Sequence, residues 1–290
     1  MKKNGLTITM VIEAQSANYG EGIGNISQLK KMTKGNGETY SYISRQAIRY
    51  NIVNQMQCDN TPVEDAGVVQ FAPMASISDY PEIDLFGYMK TSSKSEDKKG
   101  GQNIRSAVVR LSNAISLEPY KSDLDFLTNI GLAKRKVGLD NAIAQSEIHN
   151  SLYVYTITID LDRIGEDSND NVSLPRNEKA RRVRLLLDTV QFLYRDIKGR
   201  RENLSPVFAV GGVYERKNPY FEGRVELSKK GLNIEMVQAV IDSCEDCKNN
   251  TVVGCLNGKF SNQEQIKSLE PKTIDQLFDY LKKEVDIYYA

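Results

Sequence analysis

The chain has 290 residues, 40% of them hydrophobic, and its 38 lysines and arginines balance 38 aspartates and glutamates. That composition excludes global disorder and permits one substantial core, alone or with inserted subdomains. Zero net charge excludes a histone-like body, and no apolar run reaches bilayer length, so the expectation is a soluble, cytoplasmic protein with no membrane contact.

Met1-Lys2-Lys3 carries the charge of a signal peptide, but the apolar run that follows is short and ends at Glu13. Leu6, Ile8, Met10 and Ile12 instead alternate as in a strand. After the glycine-rich turn YGEGIGN, the segment SYISRQAIRYNIVNQM (41–56) places Ile43, Ala47 and Tyr50 at helical spacing, with Arg45 and Arg49 on another face. Residues 57–106 mix short apolar pieces, prolines and a polar loop. In that loop Lys90, Lys94, Lys98, Lys99 and Arg105 are expected to swing freely.

SAVVRLSNAISL (106–117) returns to strand character with Arg110 inside it, and a second excursion covers 118–150. SLYVYTITIDL (151–161) alternates without a break and is the clearest strand. NEKARRVRLLLDTVQFLYRDIKG (177–199) reads as one helix stopped by Gly199, followed by the strand LSPVFAVGGV (204–213). The tail adds a short strand near Gly223 to Leu227, a helix from Ile234 to Ser243, and a last helix capped by Thr273 with Gln276 as its partner.

Strand, helix, strand, strand, helix, strand is the split βαβ order. It predicts an α+β, RRM-like or ferredoxin-like fold with a four-stranded antiparallel sheet and two helices on one face. Such sheets serve RNA-binding modules, enzymes and regulatory domains alike.

The residues offer little for catalysis. His149 is the only histidine, and neither Glu147 nor Ser151 beside it specifies a hydrolytic geometry. Cys244, Cys247 and Cys255 cluster, but a zinc site would need His149 as a distant fourth ligand, so ordinary thiols or a redox pair are the alternatives. The acidic run 160–170 fails as a calcium loop, since Glu166 stands where glycine is required and Asn171 where glutamate should close the cage. Gly20, Gly22 and Gly24 form GxGxG, not a dinucleotide fingerprint, and read as a turn whose amides can still cradle one nucleic-acid phosphate. No cofactor or metal is expected.

The basic sets are more telling. Arg45 and Arg49, the loop lysines with Arg105, Arg110, and the trio Lys134, Arg135 and Lys136 form a candidate track for a nucleic-acid backbone. Phosphate contacts of that kind hold any sequence and leave base edges free to pair.

The segments LTITMVIEAQSANYGEG, SYISRQAIRYNI, DLFGYM (84–89), IRSAVVRLSNAISLEPYKSD (104–123) and SLYVYTITIDLDRIG resemble the Cascade backbone subunit of type I CRISPR systems, in the DevR-type autoregulator family of type I-B. The resemblance implies a hand-shaped protein: first part of the palm in 1–56, a finger-like insertion in 57–106, a palm strand in 107–117, a thumb-like insertion in 118–150, the second half of the palm in 151–215, and a C-terminal helical extension packed on the palm in 216–290. It also implies a non-catalytic subunit that polymerises along crRNA and presents guide bases to target DNA. Implied partners are further copies of itself, the small, large and crRNA-processing Cascade subunits, and a recruited helicase-nuclease. Related type III subunits cut RNA with an acidic palm-loop residue; here that region has Glu21 but no aspartate, which implies no nuclease activity. The candidate RNA-contacting residues are Gly22, Asn25, Arg45, Gln46, Arg49, Lys90, Lys98, Lys99, Arg105, Arg110, Lys134, Arg135 and Lys136.

Overall fold

The computed structural model describes residues 2–15, 18–20, 26–65, 67–91, 102–138, 140, 141 and 143–290. Its centre is an eight-stranded sheet. The strands are β1 (Gly5–Ala14), β2 (Lys31–Thr33), β3 (Thr39–Ile43), β4 (Val109–Leu111), β5 (Ala114–Ser116), β6 (Ser151–Asp160), β7 (Phe208–Tyr214) and β8 (Thr251–Cys255). They run in the order β8-β7-β1-β6-β5-β3-β2, with β4 also on β6. The middle four positions, β7-β1-β6 and the β4/β5 pair, are the antiparallel RRM-like arrangement expected from the sequence. The other strands widen it at both edges.

The two longest strands define the core. β1 and β6 pair along their full lengths, from Gly5 opposite Asp160 to Ala14 opposite Ser151. Because side chains alternate across a strand, Leu6, Ile8, Met10 and Ile12 share one face with Tyr153, Tyr155, Ile157 and Ile159. That face is covered by three helices, α1 (Arg45–Gln55), α2 (Arg176–Gln191) and α3 (Ile274–Tyr289). Val11, Phe208, Val210 and Val253 point the other way, into a second core formed with Phe221, Val225, Val237 and Phe260. Apart from β8, which extends the sheet, the C-terminal part therefore packs on both faces: residues 219–250 and 256–269 on one, α3 on the other.

Several elements differ from their sequence reading, for local reasons. α1 begins at Arg45, because the Ser44 hydroxyl accepts from the Ala47 amide and caps it there, and Ile43 belongs to β3. Its buried stripe is Ile48, Ile52 and Val53, whereas Tyr50 is 68% exposed. The segment 106–117 is two strands, because the Ser112 hydroxyl takes the Thr156 amide at 2.9 Å and interrupts the ladder. α2 ends at Gln191, and Tyr194–Ile197 pairs with Arg200–Asn203 as a hairpin. Lys198 and Gly199 both have positive φ, so Gly199 makes the two-residue hairpin turn and does not stop a helix. β8, from Thr-Val-Val-Gly-Cys, is a strand that the cysteine pattern hid.

The insertion 57–106 contains a small hairpin (Val63–Asp65 with Val69–Phe71), a short helix (Pro81–Phe86), and a second hairpin whose strands are Tyr88–Thr91 and Gln102–Arg105. It is fastened to the palm through Asp84, which is fully buried. Asp84 accepts from Arg105 Nη2 at 2.8 Å, from Arg182 Nη1 at 2.9 Å and from the Gly165 amide at 2.9 Å. Arg182 also donates to the Ile77 carbonyl at 2.7 Å, joining α2 to the insertion. Gly87, φ 77°, has no room for a Cβ against the Arg105 carbonyl.

The excursion 118–150 is an antiparallel hairpin of Asp123–Thr128 and Ile143–Ile148, with a single helical turn, Ile130–Ala133, near its tip. Its root is held where Glu147 accepts from the Leu29 amide at 2.8 Å and pairs with Lys31 at 2.9 Å. None of the described residues from 121 to 144 is buried.

Candidate nucleic-acid interface

The interruption between β4 and β5 positions the site. Asn113 Oδ1 accepts from the Arg45 backbone amide at 2.9 Å, which satisfies one of the free donors at the start of α1 and fixes that helix end over the sheet. Arg110, on β4, emerges from the same sheet face as Thr156 and Thr158 of β6. The result is a groove of about 780 Å³ lined by Lys34, Arg45, Arg110 and Lys217 together with Ser112, Asn113, Thr156, Thr158, Glu222 and Glu226.

One carboxylate organises the cations. Asp160 Oδ2 lies 3.1 Å from Arg110, 3.5 Å from Arg163 and 3.9 Å from Lys217. Lys217 also pairs with Asp162. Asp160 is buried, while the Arg110 side chain keeps 46% of its surface exposed. A buried anion thus holds Arg110 at the groove, whereas Arg163, its second arginine partner, lines a separate pocket with Arg105 and Glu166.

The sequence candidates divide into five groups. Arg45 and Arg110 meet in this groove. Gln46 and Arg49 lie on the other side of the same helix end, in a trough of about 370 Å³ shared with Tyr50, Val63 and Phe71. There the Arg49 guanidinium is 3.9 Å from Glu82 and sits over the Phe86 ring. Lys134, Arg135 and Lys136 are exposed at the tip of the projecting hairpin. Gly22, Asn25, Lys98 and Lys99 lie outside the described residues, as do Glu21 and Lys94.

Lys90 and Arg105 require a correction, because neither side chain swings. Lys90 is 3% exposed, donates to the Ala75 carbonyl, stacks over Tyr88 and pairs with Asp170 at 3.6 Å. Arg105 is spent on Asp84 and on the Glu166 and Arg163 carbonyls. Arg105 stands at the base of the hairpin opposite Tyr88, and Lys90 within it opposite Asn103; each is buried, and a charge must be paired to be buried. The arginines of α2 are similarly engaged: Arg181 and Arg182 hold the Glu178 carboxyl down to about 2, and Arg184 pairs with Asp286.

Lys34 and Lys217 are groove residues that sequence reasoning did not single out. Lys34 stacks over Tyr40 across the β2–β3 turn. Lys217 comes from the segment after β7, more than 100 residues from Arg110 in the chain, and no spacing rule links them.

His149 is buried between the ring edges of Tyr120 and Tyr153, and its Nδ1 meets the Ser41 hydroxyl at 2.7 Å. Burial lowers its pKa below the ordinary value, which keeps it neutral. It anchors the hairpin root. The acidic run 160–170 is occupied by cations and hydroxyls, among them Tyr88 donating to Asp167 at 2.8 Å. No metal-ligating cluster is present among the described residues.

An RRM-like palm with an inserted finger-like element, a projecting hairpin and a basic groove on its sheet defines the class of protein. The family described as CRISPR-associated negative auto-regulator DevR/Csa2 matches residues 6–230. The chain belongs to that family. It is 28% identical over 152 residues to a CRISPR-associated protein Cas7/Cst2/DevR of Myxococcus xanthus (strain DK1622), a match covering 47% of this chain; the chain spans half the length of that relative. Two solved structures share the fold. A chain of a CRISPR RNA-guided surveillance complex superposes with a TM-score of 0.62 at 14% identity, over 98% of this chain and 99% of the other. A chain of a pre-nicking CRISPR RNA-guided surveillance complex superposes at 0.61 and 10% identity, over 95% and 99%.

Proposed function

We propose that this protein is a non-catalytic backbone subunit of a type I CRISPR surveillance complex, holding crRNA by its phosphates and presenting guide bases to target DNA. The observation that carries the reading is the groove where Arg45 and Arg110 converge with Lys34 and Lys217 over sheet hydroxyls. Four cations on one concave surface raise the local concentration of a polyanion and contact its backbone without reading bases. A separate trough holds Gln46 and Arg49 along α1.

The projecting hairpin supports the same reading. It exposes Phe126, Leu127, Leu132 and Val137 beside Lys134, Arg135 and Lys136. Apolar side chains with adjacent cations suit a surface that meets unstacked bases and phosphates, or a neighbouring copy, in a head-to-tail assembly. Further copies of the chain, the other Cascade subunits and a recruited helicase-nuclease are the partners of this arrangement, in the cytoplasm.

Crosslinking tests the reading directly. RNA recovered with the assembled protein should crosslink to peptides carrying Arg45, Arg110 and Lys217, and should stay intact in magnesium or manganese. Crosslinks confined to the acidic stretch 160–170 and α3 would reject the groove. Discrete cleavage fragments made by the homogeneous protein would reject the non-catalytic role.

A further inference from the structure

No cysteine lines the groove. Cys244 caps the short helix Glu245–Asn250, and its Sγ accepts a hydrogen bond from the Cys247 amide at 3.3 Å. That bond sets the Cys244 sulfur against the main chain of Cys247. Cys244 is half-buried and Cys247 fully buried, so one sulfur is open to a reagent and the other lies behind it. The remaining cysteines are different. Cys58 and Cys255 are buried, far apart in the chain, and each donates to a backbone carbonyl, of Met56 at 3.3 Å and of Leu256 at 3.6 Å.

We propose that Cys244 and Cys247 form a redox dithiol that closes a reversible intrachain disulfide in exchange with small disulfides such as oxidised glutathione. The cap hydrogen bond already brings Cys244 Sγ to 3.3 Å from the Cys247 nitrogen, and the proposed disulfide closes across that one turn. The Cys244 thiolate attacks one sulfur of the small disulfide, whose S–S bond breaks to release one thiolate; that thiolate takes up the proton Cys244 lost. Cys247 then attacks the Cys244 sulfur of the mixed disulfide, and its proton leaves with the second small thiol. Two protein thiols are oxidised, and one small disulfide is reduced to two thiols.

The division of roles follows the surroundings. The Cys247 amide stabilises a negative Cys244 sulfur and lowers its pKa, whereas burial pushes Cys247 up to about 12. Asp246, between them, accepts from the Glu215 amide at 3.1 Å, the Arg216 amide at 3.3 Å and the Tyr220 hydroxyl at 3.2 Å. The dithiol loop therefore anchors the segment that carries Lys217 of the groove.

The test is to incubate the full chain with excess oxidised glutathione, alkylate the remaining free thiols after denaturation, and map the products by mass spectrometry. The peptide containing both Cys244 and Cys247 should lose two hydrogens and resist alkylation, while Cys58 and Cys255 are alkylated. Cys247→Ser should accumulate a glutathione adduct on Cys244, and Cys244→Ser should gain no modification at Cys247. Full alkylation of all four cysteines in the native chain, or a glutathione adduct on Cys244 that persists without disulfide closure, would overturn the proposal. The native-chain measurement decides the matter whether or not the variants fold.

Discussion

Asp84 shows how a single residue joins two parts of the chain. Removing its carboxylate leaves Arg105 and Arg182 buried and uncompensated, so Asp84→Ala is expected to cost about 3–5 kcal/mol in denaturant unfolding, far more than loss of an exposed pair such as Asp196–Arg201. The sequence marked DLFGYM as distinctive, but nothing in the spacing told a buried anion from a surface one. The partners of Asp84 lie 21 and 98 residues away. The same blindness placed Lys90 and Arg105 among free cations: composition identifies charge, and only packing decides whether that charge meets solvent.

His149 makes a second prediction at this scale. Burial depresses its folded pKa below the ordinary value of 6.5, so the unfolded chain takes up a proton first as pH falls. Stability should be level above that value and decline as pH drops from about 6.5 toward the depressed folded pKa. His149→Asn should lower stability at pH 8 yet flatten the decline between pH 7 and 5.5, read as thermal midpoints. The Glu147 carboxyl, lowered mainly by its hydrogen bond with Lys31 against the opposing effect of burial, acts in a separate window below about 4.5, where its protonation releases the hairpin root.

Among elements, the long strands were legible because two-residue alternation survives any context in which one face is buried. The helix ends were not. The apolar spacing of Val190, Tyr194 and Ile197 fits a helix, yet Tyr194–Asn203 also alternates around Lys198-Gly199, and the hairpin prevails with Asp196 paired to Arg201 across it at 2.8 Å. Gly199 has open space around it but a φ of 78°, so Gly199→Ala should cost about 1 kcal/mol through backbone strain alone. Gly211 in β7 is the opposite case: a Cβ would collide with the Thr7 backbone of β1, and Gly211→Ala should be much more damaging. Comparing the two variants by thermal unfolding separates strain in a turn from collision inside the sheet.

The projecting hairpin lends itself to a deletion. Because no described residue of 124–144 is buried, replacing 126–145 by a short turn should leave the palm's thermal midpoint within a few degrees while weakening RNA retention by the assembled protein. Loss of folding would show that the hairpin supports the palm.

For the molecule as a whole, the sequence carried the RRM-like order and the family, and it placed Arg45 and Arg110 among its candidates. It did not carry the groove, which is assembled from four separate stretches around Lys34, Arg45, Arg110 and Lys217. Such convergence is a property of the sheet's order: β4 lies against β6, and the segment after β7 folds back over the same face. The expected four-stranded sheet became eight because β2, β3 and β8 are short additions at its edges and the expected strand 107–117 is divided into β4 and β5.

The salt dependence of guide-RNA binding tests the central claim most directly. For a copy that neutralises about six phosphates, log affinity against log salt should fall with a slope near −4, and Arg45→Ala with Arg110→Ala should make it shallower by about 1.4 while circular dichroism stays unchanged. A flat salt response by folded protein, or an unaltered slope in the double variant, would contradict a phosphate-binding groove at this site.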